Sequence, residues 1–392
     1  MSIKEVLQLG ENSEVEFKEK ITHNDSLAKE IVAFANTNGG VVYLGISDSK
    51  EITGVINEDG LEEKIINICR NNIIPSVIPL ISKFLNNEKI IYKLKIEKGK
   101  NKPYKVKSSN KFYIRAGSIS IEPTNDELVR LFQAGGSFHF EINSCAKSDF
   151  SDLDTLKFRD YCENYRGLEF EENKEELIKI LNNLELIDDI NKLTIVGALF
   201  FGKNINKLLP QAGIDLNYYA GKDQATKIID NKAVSDSLPN LIQTALSFVS
   251  NNSRISSEFI KNETIREDIA EYEPFVVREL IANAFCHRDW SIFGQKIRIN
   301  MFSDRMEIFS PGTLPNTLTL LHALNGISYY RNPIIALMLK DYKFTDKLGR
   351  GLVKIMRFYK DKKLKLPEFI ISDNFVLVKI WKRVSKSVTV HE

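Results

Sequence analysis

Residues 14–18 alternate, with Glu14, Glu16 and Lys18 on one side and Val15 and Phe17 on the other, which predicts a half-buried strand. Leu27, Ile31, Phe34 and Ala35 then recur at helical spacing, so a helix follows, capped by Asp25 or Ser26 and ended by Gly39-Gly40. Residues 41–46 are almost wholly apolar, as a central strand should be. Strand, helix, glycine turn and strand fit between Glu11 and Gly54, about the length of one βαβ unit. Beyond it the pattern predicts a helix over 61–72, breaks at Pro75 and Pro79, and strands near 90–96 and 112–115. A short helix over 126–133 leads to Gly135-Gly136, a domain boundary by composition.

The remaining chain changes character twice. Residues 149–189 are helical, acidic and amphipathic, and the acids Glu169, Glu171, Glu172, Glu175 and Glu176 read as a solvated helix start. Residues 195–201 are apolar throughout and open a second α/β unit, which continues through 214–219 and a helix over 238–249. The string EPFVVRELIANAFCHRDW marks another helix, and Asp304 begins a turn, a strand and a Pro-Gly loop. A helix after Gly351 and a strand over 375–381 complete an α/β, or α+β, chain. The expected segments are 1–136, a helical linker at 137–194, and 195–385.

The length of 392 residues suits two or three domains, and 43% hydrophobic content is ordinary for a globular protein. A net charge of +2 points to no partner, but its distribution does. From Lys89 to Arg115 ten residues are Lys or Arg and Glu97 is the one acid, a basic stripe suited to phosphate. Its candidate contacts are Lys102, Lys105, Lys107, Lys111 and Arg115. Cys69, Cys145, Cys162 and Cys286 lie too far apart for a zinc motif and fit reduced thiols. The N-terminus is charged where a signal peptide would be apolar, and no apolar run reaches membrane-span length. A cytoplasmic protein without a membrane partner is expected.

Three acids, Glu11, Glu16 and Asp48, stand at element edges, where carboxylates either hold a metal or face water. Hard oxygen ligands of this kind suit Mg²⁺ or Mn²⁺, and Lys18 stands close enough in sequence to neutralise a phosphate oxygen. Five positions separate Glu11 from Glu16, so on one strand they face opposite sides. They converge only if residues 10–13 fold Glu11 back, whereas Glu14 and Glu16 share a face without help. Farther on, Glu279 and Asn283 are four apart on one helix and share its face. Gly312 lies in the Pro-Gly loop, and Arg331-Asn332 and Gly349-Arg350-Gly351 follow, the last opening a helix whose N–H groups could receive phosphate. His287-Arg288-Asp289 is not a protein-kinase loop, because position 294 is Gly where that pattern needs Asn.

In this order the first set of motifs resembles the Schlafen/AlbA-type nucleic-acid-binding domain. The carriers are Glu11, Glu16-Phe17-Lys18, Ala33-Phe34-Ala35-Asn36, Gly39-Gly40, Gly45-Ile46-Ser47-Asp48, Lys102-Pro103-Tyr104 and Tyr113 to Ser118. The second set resembles the GHKL-like ATPase module that follows such domains in helicase-related transcriptional regulators. The first resemblance implies that Glu11, Glu16, Asp48 and Lys18 form a metal-dependent endoribonuclease site for structured RNA such as tRNA, in a setting of phage defence. The second implies that Glu279 polarises water, that Asn283 carries the metal, and that Gly312, Arg331, Asn332, Gly349 and Gly351 hold ATP. The adenine-reading Asp of such ATPases has no counterpart here, where Ser310-Pro311-Gly312 stands. Schlafen proteins clamp RNA between two similar lobes. This chain holds one, which implies a homodimer or larger homo-oligomer. The alternative is a non-catalytic, nucleotide-responsive regulator that binds DNA or RNA.

Overall fold

The computed structural model describes residues 3–55, 60–135, 139–259, 266–314, 318–327, 329–345, 350–372 and 374–383. Two compact units, Met1–Phe138 and His139–Glu392, divide the chain.

In the first unit a four-stranded sheet runs in the order Val15–Lys18, Gly39–Leu44, Lys89–Glu97, Leu80–Asn86. The first pair is parallel, with Val15 opposite Val41, and the helix Asn24–Asn36 makes the crossover. Leu27, Ile31, Phe34 and Ala35 are buried there, sharing a core with Val42, Leu44, Leu94 and Ile96. A Cβ on Gly40 would fall 2.3 Å from the Phe34 ring, so only glycine lets the strand come this close to the helix. The helix starts at Asn24, and His23 stands at the cap position without a side-chain bond. The expected cap, Asp25, instead accepts hydrogen bonds from Asn72 and Ser108, because two side-chain donors reach it there.

Several motif residues turn out to join one another. Asn36 is buried; its amide donates to the Tyr104 and Tyr113 carbonyls and accepts from the Tyr104 N–H. Gly99 N–H donates to the Ala35 carbonyl, and the Lys102 ammonium to the Thr37 carbonyl. These bonds tie the end of the helix Asn24–Asn36 to the loop before the hairpins Lys105–Val106/Lys111–Phe112 and Ile114–Ala116/Ile119–Ile121.

The second unit is built on a six-stranded mixed sheet, in the order Ile228–Val234, Ile214–Tyr219, Ile297–Met301, Arg305–Pro311, Phe375–Trp381, Glu368–Ile371. Ile214 to Tyr218 pair in parallel with Ile297 to Met301, and the other neighbours are antiparallel. Ile214, Leu216, Ile299, Met306, Ile308 and Ile380 meet the apolar sides of the helices Leu238–Asn251, Pro274–His287, Pro333–Asp341 and Gly351–Asp361 in one core. The apolar run Ile195–Phe201 is a helix with all seven residues buried, started by the Thr194 hydroxyl accepting from Gly197 N–H. From the segment read as a linker, Leu153, Phe158, Leu181 and Leu193 enter this same core.

Candidate functional site

The turn before the first strand does fold Glu11 back. Gly10 has φ +74°, and Glu11 Oε1 accepts from the Phe17 N–H at 2.9 Å. Burial raises the Glu11 carboxyl above its ordinary range. The Phe17 bond opposes that rise, the Glu16 and Asp48 charges add to it, and Lys18 works against it. The three acids and Lys18 are therefore electrostatic neighbours.

Glu16, however, is already engaged. It is 5% exposed; Oε1 meets the Lys18 ammonium at 2.5 Å and Oε2 meets Arg115 at 2.7 Å. Arg115, also buried, bonds Glu30 at 3.1 Å and the Asn12 and Val15 carbonyls, and lies 4.8 Å from the centre of the Phe34 ring. Burial alone would lower the Lys18 ammonium, but the bond to Glu16 and its charge hold it above its ordinary value. Asp48 is exposed in its turn. Among the described residues no group of three His, Cys, Asp or Glu could hold a metal ion. Glu11, Glu16 and Asp48 lie within electrostatic reach of one another but form no preassembled ligand group among the described residues, and two cations hold the central carboxylate.

Two of the five basic contacts also need correction. Arg115 is sealed in its ion pairs, and Lys102 is 5% exposed with its ammonium on a backbone carbonyl. Neither presents charge to a phosphate. Lys107 and Lys111 are exposed; Lys111 pairs with Glu122 at 2.5 Å, while Lys105 is half-buried and donates to Asn110. Lys95, Lys98 and Lys100 add exposed cations on and just beyond the strand Lys89–Glu97.

In the second unit Glu279, Asn283, Gly312 and Gly351 line one cavity of about 150 Å³. The Asn283 amide donates to Glu279 Oε1 at 3.3 Å. A Cβ on Gly351 would fall 1.8 Å from that same oxygen, so the Glu279 carboxylate rests against the start of the helix Gly351–Asp361. Gly312 has φ +103°, and a side chain there would strike Asp289. Gly349 lies outside the described residues.

Arg331 and Asn332 do not line the cavity. Arg331 pairs with Asp289 at 3.2 Å and donates to the Thr313 carbonyl, holding the loop after Gly312. Asn332, 1% exposed, donates to the Cys286 and Arg288 carbonyls and so closes the end of the helix Pro274–His287. The fold uses the Arg331 terminal nitrogens and the Asn332 amide nitrogen, which a sequence motif cannot reveal, while Arg331 Nε and Asn332 Oδ1 have no hydrogen-bond partner among the described residues.

Sequence reasoning missed Ser310, His287 and Tyr330, which also line the cavity. The walls are otherwise mainly apolar, with Leu280, Ile308, Leu352 and Val376 among them. His287 stacks on Tyr330 at 5.7 Å, and burial with the Arg331 charge pushes its imidazole down to about 4. The strand alternation around Ser310 could have signalled its inward side. The place of Tyr330 in the cavity had no local signal.

With this geometry in place, the comparisons are specific. Residues 11–124 match the family model described as Schlafen, AlbA_2, and residues 294–380 match that described as "Putative ATP-dependent DNA helicase recG C-terminal". The chain therefore carries a Schlafen AlbA_2 domain followed by an ATPase-type domain of the recG C-terminal kind, two domain types associated with nucleic acid and nucleotide. The second match begins after Glu279 and Asn283, so their assignment rests on the cavity. Similar solved structures include the DIP2311 protein from Corynebacterium diphtheriae, at 18% identity over 94% of this chain and 75% of that one, with a TM-score of 0.48. The N-terminal domain of a RecG-related protein from Nitrosomonas europaea matches at 18% identity over 31% of this chain and 89% of that one, with a TM-score of 0.25. No curated protein matches the chain. No helix among the described residues is long and apolar enough to cross a membrane.

Proposed function

We propose that this chain is a non-catalytic nucleic-acid-binding protein whose second unit takes a nucleotide and whose nucleic-acid contacts respond to it. The observation that carries this reading over a nuclease is the engagement of both Glu16 carboxylate oxygens by Lys18 and Arg115. Each Glu16 oxygen is held by a cation, and drawing the carboxylate onto a divalent ion would break its buried bond to Arg115. The exposed lysines supply the phosphate contacts, Lys107 and Lys111 from the hairpin, and Lys95, Lys98 and Lys100 from the strand region before it. In the second unit the Glu279–Asn283 bond uses the amide nitrogen and leaves the amide oxygen for a cation. Mg²⁺ takes such oxygens together with nucleotide phosphates.

The test is incubation of the full chain with total tRNA and with duplex DNA, with Mn²⁺, with and without ATP. The Asp48→Asn and Lys107→Ala variants run beside it. Asp48 is the diagnostic acid because it is exposed, so its substitution is expected to leave the fold intact. Intact nucleic acid is expected, with binding that weakens steeply with salt and a slope reduced by about one in Lys107→Ala. Discrete RNA fragments that disappear in Asp48→Asn would replace this reading with the endoribonuclease one. Binding that ATP leaves unaltered would remove the nucleotide response.

A further inference from the structure

The strand Ile228–Val234 forms one edge of the second unit's sheet, and six of its seven residues are exposed, Ile228 and Ile229 among them. It pairs on one side with Ile214–Tyr219, setting Val234 opposite Ile214, Lys232 opposite Leu216 and Asp230 opposite Tyr218. Ile214 and Leu216 are fully buried in the helix-covered core, so Asp230, Lys232 and Val234 belong to the helix side of the sheet. Asn231 and Ala233 belong to the other side. Asn252, just past the helix Leu238–Asn251, donates to Asp230 Oδ2 at 2.9 Å, which leaves the carboxylate a second oxygen. The register shifts at the Tyr218–Tyr219 step, so residues 230–234 are the regular part of the ladder.

An edge strand turns the N–H and C=O groups of alternate residues away from its sheet, and these form a template for another strand. Most edges are blunted by a charge, commonly a lysine, set where an incoming strand would lie. Lys232 has that position, but an acid stands two residues from it on the same side of the sheet. Under two-fold symmetry that pair becomes complementary. A closed two-fold contact sets one residue against a second and that second against the first. With the axis at Asn231, antiparallel pairing sets Asp230 against Lys232 of the second copy and Lys232 against its Asp230. Asn231 faces itself, and its amide can both donate and accept there. Ile229 faces Ala233. With the axis at Asp230 or at Lys232, like charges would stand opposite, which is unfavourable. Charge therefore selects one register.

We propose that the exposed edge strand Ile228–Val234 pairs with the same strand of a second copy of this chain, antiparallel and about a two-fold axis at Asn231, so that two six-stranded sheets become one. The strand fits its own copy because its charges complement each other only in that register. The pairing draws on neither the nucleotide nor the nucleic-acid reading.

Sedimentation velocity of the full chain over a range of concentrations tests this, on the wild type, Asp230→Lys, Lys232→Asp and the double exchange Asp230→Lys/Lys232→Asp. The wild type is expected to be a dimer. Each single reversal sets like charges opposite twice and should raise the dissociation constant at least about tenfold. The double exchange should restore the dimer, and mixing the two single variants should give mixed dimers, which a merely damaged fold would not do. Asn231→Cys should cross-link two chains on oxidation. Ala233→Cys should not, because the two copies of residue 233 would lie about 14 Å apart, too far for a disulfide. A monomeric wild type overturns the proposal. A dimer that the single reversals leave unchanged, or that the double exchange fails to restore, overturns it as well and moves the contact between chains elsewhere.

Discussion

Glu16 shows how one residue can carry a motif and still not do what the motif implies. Its side chain faces Glu30 and Arg115 across the edge of the first sheet, and the three form a buried acid–base–acid cluster. Removing Arg115 from such a cluster leaves buried carboxylates uncompensated, which costs about 3–5 kcal/mol, whereas removing Glu16 leaves Arg115 its bond to Glu30. Arg115→Met is expected to destabilise the first unit by that amount, Glu16→Gln by about 1–3 kcal/mol, and Asp48→Asn by less than about 0.5 kcal/mol. Denaturant unfolding followed by circular dichroism reads the difference. Equal stability of wild type and Glu16→Gln would return Glu16 to the list of available ligands.

At the scale of elements, the ends of helices decide more of the second unit than their middles do. The helix Pro333–Asp341 begins with Asn332 tied to the end of the helix Pro274–His287 and with the Glu141 carboxylate accepting from Ile334 and Ile335 N–H groups at 2.9 and 2.8 Å. Glu141 is fully buried, and burial pushes its carboxyl up to about 7, against the pull of those two bonds. An acid raised on folding binds its proton more tightly in the folded state. Its ionisation therefore lowers stability as pH rises from about 4.5 to about 7, with no further loss above. The full effect is on the order of 3 kcal/mol. His287 acts at the other end: its depressed imidazole costs stability as pH falls from about 6.5 towards 4. Thermal unfolding of the second unit's core followed from about pH 4.5 to about 8 should lose that decline towards neutral pH in Glu141→Gln. Persistence of the decline in the variant would assign it to another group.

The whole molecule combines two units with separate cores, each with its own chemistry. One AlbA-type lobe per chain, set against the two that clamp RNA in Schlafen proteins, is the basis for a proposed pairing of two chains. Light scattering should report twice the chain mass, apo or with ATP. A single-chain mass under both conditions would reject the pairing and leave each lobe to bind nucleic acid alone.

Much of the architecture was legible without coordinates, because periodicity of apolar residues is a local property that burial enforces. The 14–18 alternation, the helix through Leu27 and Phe34, and the Glu279–Asn283 face all follow from backbone geometry. Local motifs also placed Glu279, Asn283, Gly312 and Gly351, four of the residues that meet at the cavity. What the sequence could not determine is the partner of each polar side chain. Arg115 and Lys102 look like phosphate contacts, and Arg331 and Asn332 like nucleotide contacts, until the fold brings carboxylates and orphan carbonyls to meet them. Ser310 looks open to a ligand until the end of a helix 26 positions away in sequence accepts its hydrogen bond. A side chain's type is written in the chain, but whether it remains open to a ligand depends on which distant groups the tertiary structure has already obliged it to satisfy.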